Sequence, residues 1–387
     1  MNNQCSICAS DNTISLLNLK HTNIYQHPVP KDAVIPQPYK IDIDFYFCPA
    51  CGHAYQHNYN TDLLNSIYSN HYYTPAQDGI GRQFRDDFMA FVKTNVPEMN
   101  KAQQLLEVGS SSGELLIASR ETWPQLNVLG YEPSHNSADL AISKNITTIK
   151  DFFSTKTIQN TNKFDIIFSR HVIEHIDDQH DFWLSINQSA YDHTVLVLET
   201  PSLDSVLYKH SLDPFHIEHL HVFSVNSLAH VAKSYGWFLR SYTATDSNNL
   251  ICCFSKDNSR SIQTKAPELN SSLNETLAQI KNKLMHSLQG KKYWLWGAGS
   301  YGAKMLSFYE LTPEKILDGN SNKTGKMMVG YPWQIEYGSD VIRAYPAEMS
   351  GKAPTIIIAS SFYKEIVAHI TSLGWQGEIL KPADWES

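Results

Sequence analysis

The chain has 387 residues, 42% of them apolar and 18% charged, which suits two or three domains with sizeable cores and excludes wholesale disorder. Its net charge is −8, with 31 Lys and Arg residues and no basic run, so a dedicated nucleic-acid binder is excluded and any phosphate must be held by a few placed groups. Met1–Cys5 lacks the charged and apolar regions of a signal peptide, and no apolar stretch approaches the ~20 residues of a membrane span. A soluble cytoplasmic protein without a membrane partner is therefore expected.

Residues 1–60 carry two Cys-x-x-Cys pairs, Cys5/Cys8 and Cys48/Cys51, separated by a polar, Pro-containing stretch with strand-like alternation over Ile41–Phe47. Paired spacing of this kind lets two tight turns present four thiolates to one tetrahedral ion. Zinc suits that donor set and replaces a core that about 60 residues cannot build. A closed four-sulfur site is structural, so this module is expected to do no chemistry. The other two cysteines, Cys252 and Cys253, end a strand-like run and read as core thiols.

Asn60–Asn95 reads mostly as helix, interrupted at Tyr72-Tyr73-Thr74-Pro75. From Lys101 to about Lys256 strands alternate with helices, the strand candidates being Gln104–Val108, Asn127–Tyr131, Phe164–Phe168 and Thr194–Leu198. That alternation predicts a parallel sheet with crossover helices, an α/β fold. Lys256–Ser272 is a polar, Pro-containing linker. Leu277, Ile280, Leu284 and Leu288 then recur at helical spacing, and a second α/β unit runs through Tyr293–Trp296, Lys315–Leu317, Thr355–Ala359 and Glu378–Leu380. The expected division is a zinc module over 1–60, a nucleotide-type domain over 61–256 and a smaller α/β domain over 257–387.

Leu105–Leu116 reads as strand, small-residue turn and helix start. Its turn, Glu107-Val108-Gly109-Ser110-Ser111-Ser112-Gly113, offers free N–H groups and close backbone approach to a ligand. Glu107 at the strand end would repel a pyrophosphate, which argues against a dinucleotide there. The next strand ends in Tyr131-Glu132-Pro133, and Glu132 is placed to accept from both hydroxyls of a ribose. Asp151-Phe152 follows near the third strand and suits an adenine edge and face. Acid-x-Gly-x-x-x-Gly with a second acid one strand later resembles the S-adenosylmethionine signature of class I methyltransferases, although Ser111 stands where the commonest form has glycine. The loop after the fourth strand, Ser169-Arg170-His171-Val172-Ile173-Glu174-His175, falls at the sheet edge where ligands bind. On a helix His171 and His175 would share a face. One histidine over the cofactor and the other toward the substrate fits better than a metal pair.

Asp213–Ser224 packs His216, His219 and His221 beside Glu218. Histidine can take a proton near neutral pH, and a neighbouring carboxylate can set its tautomer and stabilise the cation that forms. On a strand His219 and His221 would share one face, with Glu218 on the other. A polar loop that caps the following helix is the competing reading.

Taken together, the two Cys-x-x-Cys pairs, the Tyr68–Thr74 segment, Glu-Val-Gly-Ser-Ser-Ser-Gly, Glu-His before an aromatic-Ser, and a terminal α/β unit resemble nucleotide-sugar C-methyltransferases over essentially the full length. The resemblance implies methyl transfer from S-adenosylmethionine to a carbon beside the ketone of a nucleotide-linked deoxysugar. It implies His219 as the base, Glu218 as its acidic neighbour, His175 in the segment after the fourth strand, and Tyr72 or Tyr73 in the active site. His216 replaces a usual tyrosine and His171 a common asparagine. An O-methyltransferase acting on a sugar or glycan, and an inactive scaffold of the same fold, are the alternatives.

Finally, Trp296-Gly297-Ala298-Gly299-Ser300-Tyr301-Gly302 is a Gly-x-Gly-x-x-Gly after an apolar strand, with Asp318 about 20 residues on. The resemblance implies a Rossmann-like C-terminal domain that contacts the nucleotide-sugar, its turn cradling the diphosphate with Lys304 or Lys323 nearby; a purely structural turn is the alternative reading. A nicotinamide-dependent oxidoreductase would also use such a turn, but residues 291–387 are short for a full dinucleotide domain.

Overall fold

A computed structural model describes residues 4–35, 40–64, 80–158, 163–209, 214–269, 272–345, 353–360 and 363–385. The chain divides into two compact units. The first holds 1–15, 45–208 and 217–269, and the second 16–44, 209–216 and 270–387. Residues 16–44, expected within a module of 1–60, thus cluster with the C-terminal third. Both long N-terminal strands, β1 (Ile14–Asn23) and β2 (Lys40–Cys48), pass from one unit into the other.

The first unit contains a seven-stranded sheet. Its strands are β4 (Gln104–Val108), β5 (Asn127–Tyr131), β6 (Thr148–Ile149), β7 (Phe164–Arg170), β8 (Ala190–Pro201), β10 (Phe238–Ala244) and β11 (Asn249–Ser255), in the order β10-β11-β8-β7-β4-β5-β6. Strands β6, β5, β4, β7 and β8 run parallel. β11 is antiparallel to both β8 and β10. Period-2 alternation feeds two cores at once. Leu105, Ile166, Phe168, Val195 and Val197 face one layer with Phe88 and Val92 of the helix Ile80–Asn95. Leu106, Ile167, Leu196 and Leu198 face the other, against Phe182, Trp183 and Ile186 of the helix Gln179–Gln188. Both faces being covered, only the strand ends remain for ligands.

The order reverses between β4 and β7, so the turns that follow these two strands leave the same sheet edge side by side, the arrangement that opens a crevice. β3 (His53–His57) pairs antiparallel with β9 (His221–Val222), Tyr55 opposite His221. Immediately after, Ser224 caps the helix Val225–Ser234 through a reciprocal box with Ser227, which fixes the end of the histidine-rich segment.

The second unit contains a five-stranded parallel sheet, order β14 (Ile335–Tyr337), β13 (Lys315–Asp318), β12 (Tyr293–Trp296), β15 (Thr355–Ile358), β16 (Ile379–Leu380). Among the described residues, no helix is long and apolar enough to cross a membrane.

Candidate active site and metal centre

The turn after β4 has a backbone that demands its small residues. Gly109, Ser111 and Gly113 all have positive φ, and a Cβ on Gly109 would lie 2.3 Å from Val172. Glu132, at the end of the neighbouring β5, closes this turn. One carboxylate oxygen accepts the Ser111 N–H at 2.8 Å and the other accepts the Ser134 N–H at 2.8 Å. Pro133 lies between these contacts. Burial raises the Glu132 pKa, and the two N–H donors work against that rise.

Glu107, 4% exposed, faces the same edge. Burial pushes its pKa up to about 8, the Arg170 guanidinium lowering it and Glu132 raising it. Its Oε2, the Ser110 hydroxyl and the Ser169 hydroxyl are buried without a hydrogen-bond partner among the described residues. Three such polar atoms at the ends of β4 and β7 fit a polar ligand held there. Asp151 and Phe152 are exposed, the Asp151 carboxylate accepting the Phe152 N–H. Phe153, not singled out from the sequence, packs edge-on to Tyr131.

The segment after β7 is not an α-helix. His171 has φ +52, and Ile173–His175 forms a single 3-10 turn, so His171 and His175 do not share a helix face. The turn is pinned by the Gln179 side chain, which donates to the Ile173 and Ile176 carbonyls. Inside it lies Glu174, fully buried. Its Oε2 accepts from Thr200 at 3.1 Å, and its Oε1 lies 3.3 Å from His171 Nδ1. Burial alone would raise the Glu174 pKa. The His171 contact and the imidazoles of His175 and His219 overcome that and bring it down to about 2. Burial would also lower the His171 pKa, but Glu174 and Glu199 hold it above the ordinary value. Glu199, 1% exposed, is paired with Arg170 and accepts from Asn249 at 3.2 Å.

His175 Nδ1 lies 2.8 Å from the Glu218 carbonyl, so Nδ1 carries the proton and Nε2 is the basic nitrogen of the neutral ring. The His175 and His219 rings meet edge-to-face, centroids 4.8 Å apart, and both reach Glu174 within 4.8 Å. His219 and Glu218 lie in an irregular segment held by Gln56, whose amide donates to the Ile217 and His219 carbonyls. Only His221 enters a strand. His221 points elsewhere: its Nε2–H donates to the Ile176 carbonyl and its Nδ1 accepts from His53, both 3.0 Å. His216 belongs by contact to the second unit, and Tyr72 and Tyr73 lie outside the described residues.

A buried carboxylate within 4.8 Å of the His175 and His219 ring nitrogens is that of Glu174, which the sequence reading quoted but did not assign. Glu218 contributes its carbonyl. Four buried acids, Glu107, Glu132, Glu174 and Glu199, line this edge, against the guanidinium of Arg170 and the imidazole of His171. Such a balance favours a cationic guest.

Residues 80–242 match the family model described as a methyltransferase domain. Its sheet, with the strand order given above and one reversed strand, has the class I methyltransferase arrangement. These findings make residues 80–242 similar to a methyltransferase domain in sequence and in sheet order. Similar solved structures include a SAM-dependent methyltransferase from Aquifex aeolicus, 13% identical over 51% of this chain and 98% of that one, TM-score 0.38. Another is an S-adenosylmethionine-dependent methyltransferase from Mesorhizobium loti, 13% identical over 43% and 95%, TM-score 0.35. No curated protein matches the chain.

Away from this edge, the four N-terminal cysteines converge. Sγ atoms of Cys5 and Cys51 are 3.7 Å apart, those of Cys8 and Cys48 3.5 Å, and the four fall within 4.8 Å of one another. A tetrahedral ion with Zn–S bonds of about 2.3 Å requires sulfur separations of about 3.8 Å, so the donor set fits zinc. Gly52, with φ +73, turns the second pair back while its N–H donates to the Cys48 carbonyl. A Cβ there would strike Pro267 at 2.3 Å, so part of the expected linker packs onto this knuckle.

In the second unit, Gly297 (φ +124) and Gly302 are both required by close packing: a Cβ would meet the Ala359 and Gly297 carbonyl oxygens at 2.4 and 2.0 Å. Asp318 turns inward, accepting the Ala298 N–H at 2.8 Å and pairing with Lys323 at 2.9 Å. Lys304 is buried.

Proposed function

We propose that the protein is an S-adenosylmethionine-dependent C-methyltransferase acting on the carbon beside the ketone of a nucleotide-linked keto-deoxysugar. The observation that carries this reading is the Glu174–His175–His219 cluster at the sheet edge, with the buried acids Glu107, Glu132 and Glu199 at the neighbouring strand ends. The turn after β4 suits the cofactor. Gly109, Ser110, Ser111 and Gly113 would hold it by backbone and hydroxyl groups, with Glu132, Asp151 and Phe152 toward its ribose and adenine, and Glu107, Ser169 and His171 toward its polar and cationic end. When bound, it supplies an electrophilic methyl group that a carbon nucleophile takes.

The chain's own part is proton handling and alignment. His219 takes the proton from the carbon beside the ketone, and the electron pair of that C–H bond passes to the carbonyl oxygen as an enolate. His175, its Nδ1 proton held by the Glu218 carbonyl, can serve that oxygen only as the imidazolium, donating from Nε2–H. Tyr72 or Tyr73 completes the substrate side in this reading. A structural zinc held by Cys5, Cys8, Cys48 and Cys51 would replace a hydrophobic core in that part of the first unit. The protein is proposed to work in the cytoplasm on a small-molecule substrate, with no nucleic-acid or membrane partner.

The test is turnover with a panel of keto-sugar nucleotides, read by mass spectrometry. His219→Ala is expected to abolish methylation while S-adenosylmethionine still binds. Persistent turnover in that variant contradicts the assignment of the base.

A further inference from the structure

A fully buried carboxylate needs a reason to be charged. Glu174 accepts from Thr200 on one oxygen, has His171 Nδ1 3.3 Å from the other, and lies within 4.8 Å of ring nitrogens of His175 and His219. The charged and titratable groups around it are those three histidines, with Glu199 and Arg170 beyond His171, and His221 within electrostatic reach with Asp177 beyond it. Its backbone cannot drift, because the Gln179 amide and the His175 N–H bond to Val172 fix the turn.

We infer that Glu174 is a positioning residue: its buried carboxylate, within 4.8 Å of the ring nitrogens of His175 and His219, stabilises the cation that forms on His219. This rests on the reading of His219 as proton acceptor. The step balances simply. A proton moves from the substrate carbon to an imidazole nitrogen, the C–H electron pair stays on the substrate, and the imidazolium so made faces an anion already in place. An opposite charge within about 4–6 Å raises an imidazole pKa by roughly one unit or more. His219 adds to the lowering of the Glu174 pKa, after the larger effects of His171 and His175.

The experiment is a pH titration of the full chain, labelled with 13C in its histidine rings and followed by NMR without substrate. His219 and His175 signals are assigned by their loss in His219→Gln and His175→Gln. Glu174→Gln is expected to lower the His219 midpoint by about one pH unit, about tenfold in proton affinity, and Glu174→Asp to recover part of it. An unchanged or raised midpoint in Glu174→Gln overturns the inference. His171→Asn serves as an independent arm, since asparagine tolerates the positive φ and the change removes the imidazole that lies 3.3 Å from Glu174. The His219 midpoint should then rise, and a midpoint that stays put overturns the inference. Stoichiometric broadening of both signals by Mn2+ would make Glu174 a metal ligand, and that also overturns it. Because no methyl acceptor is used, failure here is separable from failure of the C-methyltransferase reading.

Discussion

Glu132 and Ser111 are joined across two strands. The carboxylate at the end of β5 accepts the N–H of a residue held at φ +47 in the turn after β4. Glu132→Ala leaves two N–H groups without their acceptor and releases the turn. A loss of about 1–3 kcal/mol in stability is expected, with cofactor affinity reduced at least tenfold. Thermal unfolding and calorimetric titration with S-adenosylmethionine measure both.

Gly130 presses on the same turn from below. A Cβ there would sit 2.2 Å from the Ser110 hydroxyl and 2.7 Å from its Cβ. Gly130→Ala should therefore cost about 1–3 kcal/mol through overpacking. Adding Ser110→Gly should restore most of the loss, a coupling that a double-mutant cycle in denaturant measures directly.

Glu107 gives the site a pH signature. With a pKa of about 8 it is mainly protonated at neutral pH. A positive guest lowers that pKa, so S-adenosylmethionine binding at pH 7 should release a proton. Affinity should rise with pH and level off above about 8. Calorimetry in buffers of different ionisation enthalpy detects the proton, and Glu107→Gln should abolish it. For folding the sign is opposite: a carboxyl with a raised pKa favours the folded state while protonated, so its contribution fades as pH rises from about 4.5 toward 8.

Cysteine chemistry offers a separate check. One zinc per chain is expected by metal analysis, lost in Cys48→Ser together with several degrees of thermal stability. The knuckle packs on Pro267 and Ala266, so protease access to residues 256–269 should increase when a chelator strips the metal.

Much of this was legible in the sequence because strand cores are short and apolar. Gln104–Val108, Asn127–Tyr131 and Tyr293–Trp296 fall where their apolar runs place them. The β10–β11 hairpin was less legible. Only the run ending at Cys252 and Cys253 signals it, and its antiparallel edge position is set by pairing with β8. Glu174 was hidden for a different reason. Nothing local distinguishes a surface glutamate from one enclosed by a 3-10 turn, a strand threonine and histidines up to 45 positions away. The positive φ of His171 is likewise imposed by its surroundings, since that residue type gives little hint of it.

The most direct measurement is NMR of the product formed from S-adenosylmethionine labelled with 13C in its methyl group and a keto-sugar nucleotide. The account predicts a labelled methyl coupled to a carbon of the sugar ring, absent with His219→Ala. A labelled methoxy group, or labelled product formed undiminished by His219→Ala, would contradict it.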